Sequence, residues 1–271
     1  MFKYEFMRLA FIVGTFVAIS IPFIGSIMVY KGMSMIGESL SHISLVGVIL
    51  GVMFGFSPTL GALIVTIIAS LSIFYLNDLL KNYKDISLLI MTSLGIGLAG
   101  LLLSFVSGPS NFESFLFGSI LTISSNEAIL AIILSIVVIG LSLYFFRSFF
   151  LIAFDEEIAS LSGVNVEWTN FLFMMLGAVS ISITSRIIGA LIVSSLMIIP
   201  IASALLVSQS YKQTLFIGTV LSVLSVWIGL YATYLIPTSL KPGSMIVLTS
   251  ILLFIFTVIY KVTLKNRKVN V

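Results

Sequence analysis

The chain of 271 residues is 59% hydrophobic and only 8% charged, where an average soluble domain is about 25% charged, and no soluble fold can hide that much apolar surface. Thirteen Lys and Arg against ten Asp and Glu give a net charge of +3, but the cations are scattered at the ends of apolar stretches, which marks membrane topology and not nucleic-acid binding. There is no cysteine, so disulfides, thiolate metal sites and thiol nucleophiles are excluded.

Lys3 and Arg8 precede the first apolar run, 9–30, which continues without a small-residue cleavage site and reads as a retained helix, not a signal peptide. Further runs of membrane-spanning length follow at 35–56, 58–76, 86–107, 126–150, 168–186, 189–208, 213–236 and 242–260. The predicted fold is therefore all-α: a polytopic integral membrane helix bundle of about eight or nine transmembrane helices, forming a single domain over residues 1–271 in membrane lipid. Ser57-Pro58 places proline in a first helical turn, and Ser124-x-x-Glu127 has the spacing of a capping box. Residues 112–123 read as a short amphipathic connector, and 153–167 as the longest polar interval. The tail cations Lys261, Lys265, Arg267 and Lys268, with Lys81, Lys84 and Lys212, point to the cytoplasm. Nine spans then put the N-terminus outside, whereas Lys3 and Arg8 favour the eight-span arrangement with both ends inside.

The second window holds the single histidine and an acid, in Gly37-Glu-Ser-Leu-Ser-His42. Glu38 and His42 stand at i and i+4 and share one helix face. Ionisable side chains inside a span are costly and usually line an interior path. A carboxylate with an imidazole is half of a divalent-metal site. The competing reading is that the two merely hydrogen-bond each other near the interface. Gly47-x-x-x-Gly51-x-x-x-Gly55 on the same window is a small-residue stripe for close packing, turned away from the Glu38 side.

In the polar interval, Asp155, Glu156 and Glu157 begin a short predicted helix that runs through Ala159 to a terminating Gly163. It is either a handle for a soluble partner or a solvated loop. Arg186 reads as an interfacial anchor and Pro200 as a kink. No G-x-x-x-x-G-K-[ST] loop occurs, so ATP-driven work would come from another chain, and no H-E-x-x-H or G-x-S-x-G is present.

Residues 30–48, Y-K-G-M-S-M-I-G-E-S-L-S-H-I-S-L-V-G-V, resemble the basic-x-x-S-L-x-G-D-A-L-S-H-A-x-x-x-G-V stretch of the ABC-3 class of bacterial metal importer permeases. The likeness continues at 114–120 (S-F-L-F-G-S-I), 153–157 (A-F-D-E-E), 189–193 (G-A-L-I-V), 199–202 (I-P-I-A) and 229–231 (G-L-Y), in order along nearly the whole chain. The resemblance implies a permease domain without enzymatic activity, with Glu38 and His42 as metal contacts; Glu38 stands where the family pattern has Asp. Residues 157–163 are similar to the E-A-A-x-x-x-G coupling loop, with Ile158 in place of an Ala, which implies an ATPase-coupling segment at about 151–167. It further implies a second copy of the chain, an ABC ATP-binding subunit and an extracytoplasmic metal-binding protein, with no permanently bound cofactor. The transported ion is expected to be Zn2+ first and Mn2+ second, since 114–120 reads closest to zinc permeases. A secondary cation transporter driven by a proton or sodium gradient is the alternative, and it calls for more paired intramembrane acids and inverted repeats.

Overall fold

The computed structural model describes residues 5–80, 83–105, 118, 120, 123–235 and 241–269. Among them there are eleven helices and no strand. In chain order they are α1 (Glu5–Tyr30), α2 (Ile36–Met53), α3 (Pro58–Leu79), α4 (Lys84–Leu103), α5 (Ser125–Tyr144), α6 (Phe146–Phe154), α7 (Glu156–Leu161), α8 (Val166–Ile187), α9 (Ala190–Val207), α10 (Tyr211–Leu235) and α11 (Pro242–Val269). Eight of them are long and apolar enough to cross a membrane, and the apolar stretch of α9, Ile192–Val207, is shorter.

Each expected apolar window has a helix, but the fifth, 126–150, is two. Helix α5 ends at Tyr144, Phe145 leaves helical geometry at φ −90° and ψ 14°, and α6 starts anew. Hydropathy cannot see this break, because the residues on either side are equally apolar. The capping signals are realised: Pro58 opens α3, and Ser124 and Glu127 exchange side-chain and backbone hydrogen bonds of 3.3 Å at the start of α5. The expected connector at 112–123 lies almost wholly outside the described residues.

Helices α1 and α2 are the interior of the bundle, with 72% of each apolar window buried, against 22% for α11. Packing between apolar helices in lipid relies on close approach and on short polar side chains. Gly47 of α2 and Gly61 of α3 lie against each other, so that a Cβ at either would overlap the other's carbonyl oxygen. Ser39 Oγ meets Thr92 Oγ1 of α4 at 2.7 Å, Ser44 Oγ meets Ser185 Oγ of α8 at 2.7 Å, and Ser70 Oγ donates to Met174 O at 2.8 Å.

The contacts also fix depth. Met197 of α9 touches both Gly25 of α1 and Gly37 of α2. Gly25 precedes the end of α1 at Tyr30 by five residues, about 7.5 Å at helical rise. Helix α2 therefore starts more than a turn inside that end of the bundle. Helix α11 packs back along α10, with Ile246 against Gly229. The start of α1 and the far end of α11 thus lie at opposite ends of the bundle.

Candidate functional site

Around α2, successive residues meet different neighbours. Ser39 and Ile43 face α4, Gly47 and Gly51 face the start of α3, Ser44 faces α8, and Gly37 lies against Ser194 of α9. The arc left over, between α4 and α9, carries Glu38 and His42. Glu38 is exposed and His42 half-buried, with Gly95 of α4 close enough that a Cβ there would sit 3.1 Å from His42 Cβ. In the single chain the acid is not enclosed, because none of the described residues closes over this arc. Among the described residues no hydrogen bond engages either side chain, so they do not satisfy each other. Toward the far end of α2 the same side turns apolar, where Leu45, Val46 and Ile49 cluster with Ala99 of α4.

The pair is chemically incomplete as a metal centre. No group of three or more His, Asp and Glu capable of holding an ion is assembled among the described residues. A carboxylate and an imidazole with free lone pairs can bind a divalent ion loosely, and a transported ion must also leave. Of the small-residue stripe, Gly47 and Gly51 press onto α3, where Cβ atoms would meet Gly61, Ala62 and Pro58. Gly55 lies past the end of α2, with φ +72° and nothing within 4 Å of a Cβ built there.

The polar interval is ordered by its own chemistry. Asp155 caps α7, its Oδ1 accepting from Glu157 N at 2.8 Å and Ile158 N at 3.1 Å. The helix closes as a Schellman turn: Val164 N donates to Ala159 O at 3.1 Å and Gly163 N to Ser160 O at 3.0 Å. Gly163 has φ +79°, which only glycine adopts freely. Ala159 is buried, and Glu157, Ile158 and Leu161 point outward, Leu161 at 84% exposure.

Two clusters were not legible beforehand. Lys31, just past α1, pairs with Glu156 and donates to Asn170 Oδ1 of α8 at 2.7 Å, while Asn170 Nδ2 donates to Glu156 Oε1 at 3.1 Å. At the opposite end, Arg186 is not merely an interfacial anchor. Its Nη2 lies 3.1 Å from Glu127 Oε1, which also accepts from Thr59 Oγ1 at 3.0 Å, tying α8, α5 and α3 together. The only advance signal for the first cluster was the basic residue beside the glycine at 32, and for the second the capping-box acid itself.

Comparison with known proteins places this geometry in context. The model of the ABC 3 transport family matches residues 3–261. The manganese transport system membrane protein MntC of Listeria monocytogenes is 29% identical over 259 residues, covering 95% of this chain and 91% of that protein. The high-affinity zinc uptake system membrane protein ZnuB of Buchnera aphidicola is 28% identical over 242 residues, covering 89% and 92%. Among solved structures, PsaBC from Streptococcus pneumoniae in complex with Fab superimposes with a TM-score of 0.82 at 25% identity, covering 94% of this chain and 91% of the other.

Proposed function

The chain belongs to the ABC 3 transport family, and from that premise we propose that it carries divalent transition-metal ions into the cell by way of Glu38 and His42. It is the multi-pass permease subunit of an importer in the bacterial inner membrane. ATP hydrolysis belongs to a separate ATP-binding subunit, and a substrate-binding protein supplies the cargo. The single observation that carries the residue assignment is the open arc of α2, where an acid and an imidazole one turn apart stand on an uncovered face of an apolar span without hydrogen-bond partners among the described residues.

The ion is cargo and not a resident cofactor. Zinc is the first choice and manganese the second; relatives are named for each, and the preference for zinc rests on the sequence of 114–120, of which only 118 and 120 are among the described residues. The whole chain acts as one permease domain, with 151–167 as the segment that docks on the ATP-binding subunit. A second copy of the chain covers the arc, which brings two acids and two imidazoles toward one path and removes an exposed carboxylate from lipid. The apolar outer faces of α5 and α11 meet lipid. The gradient-driven alternative has no support in the family membership.

The test is ATP-dependent zinc and manganese uptake by vesicles holding the complete complex, with Glu38→Gln and His42→Ala. Removing a direct metal contact is expected to cut uptake by at least about tenfold while the complex still assembles. Wild-type uptake in both variants removes the site assignment, and uptake that persists without the ATP-binding subunit removes the importer reading.

A further inference from the structure

We propose that Lys31 is the positioning residue that transmits movement of the docking helix α7 to the metal-binding face of α2. The inference rests on the transport reading above and adds to it a residue that belongs neither to the Glu38 and His42 pair nor to α7. Lys31, Glu156 and Asn170 close a triangle of charge-assisted hydrogen bonds joining α1, α7 and α8. The Lys31 side chain is only 7% exposed, so its ammonium is held in place and not swept through solvent.

From Lys31 a short, hydrogen-bonded path leads to the acid. Met33 N donates to Met28 O at 2.8 Å and Gly32 N to Val29 O at 3.1 Å, a Schellman turn that locks Lys31 to the end of α1. Ile36 N then donates to Met33 O at 3.1 Å, and the buried Ile36 opens α2 two residues before Glu38. A stiff link of this kind carries a displacement, whereas a mobile loop would absorb it. Room for that displacement exists beside the triangle: a cavity of about 700 Å³ is bordered by Lys31, Asp78, Glu156, Glu167 and Asn170. The same space is bordered by Met33, the first residue of the link, so the triangle and the link share one loosely filled side. A purely structural anchor would fix α7 equally well but would leave transport and ATP use linked when removed.

The chain has no cysteine, so cysteines introduced at Ser34 and Ser162 in one of the two copies give a single spin-label pair in a complex whose other subunits have been freed of reactive cysteine. In the wild type the label separation is expected to stay constant between nucleotide-free and ATP-bound states, the two sites moving together. In Lys31→Met the complex should assemble and hydrolyse ATP, uptake should fall at least about tenfold, within the range of ordinary coupling energies, and the label separation should change with nucleotide. The charge-exchanged pair K31E with E156K should regain uptake above either single variant, and it decides the matter if Lys31→Met alone does not assemble. Uptake within about twofold of wild type in Lys31→Met, an unchanged label separation with uptake lost, or no recovery in the exchanged pair overturns the proposal. A wild-type complex that takes up no metal sinks the underlying transport reading instead, and is told apart because it appears before any substitution at Lys31.

Discussion

Glu38 and Glu127 each occupy the first turn of an apolar helix, yet the chain treats them in opposite ways. Glu127 is saturated: Arg186, Thr59 and the Ser124 cap surround it, and both members of the ion pair have side chains only 20% exposed. Glu38 sits beside a half-buried imidazole with its lone pairs unused among the described residues. A carboxylate whose partners are supplied by its own chain is a tie between helices. One that is left open on an uncovered face of an apolar span ties nothing together within its own chain, and only the proposed passage of a cation gives it a use.

The comparison can be broken most decisively by exchanging the two phenotypes. Glu38→Gln should abolish most uptake while leaving stability within about 0.5 kcal/mol, as expected at an exposed position where no hydrogen bond is lost. Arg186→Met should do the reverse, costing about 3 kcal/mol because it strands a largely buried carboxylate, with uptake per folded molecule preserved. Denaturant titration of both variants in detergent measures this, and equal destabilisation would erase the distinction. A smaller effect is expected on the other face of α2. Gly47→Ala drives a methyl group into the Gly61 carbonyl and should cost about 1–3 kcal/mol, read in the same titration; a neutral result would mean that α2 is not fixed against α3. The smallest is Asp155→Ala, which removes two accepted backbone bonds from α7 and should cost about 1 kcal/mol, seen as faster amide exchange over 156–161.

Much of this was legible in the chain order. The capping box at Ser124 and Glu127, Pro58 at a helix start and the left-handed turn at Gly163 are local effects, settled by neighbours a few residues apart. The break at Phe145 was not, since an apolar helix that bends out of a bundle has the same composition as one that runs straight on. Nor was the role of Lys31, whose partner Glu156 is 125 positions away, or that of Arg186, 59 positions from Glu127.

The amino-acid sequence by itself determined that this is a membrane bundle, roughly where its long helices begin, and that Glu38 and His42 share a face of α2. Those properties follow from hydropathy, helical period and local capping, which act over a turn or two. Only the tertiary structure decided which acid is neutralised and which is left open, and that a lysine at the end of α1 holds α7 and α8. Such choices depend on side chains brought together from distant parts of the chain, and apolar periodicity carries no record of which helix will stand beside which.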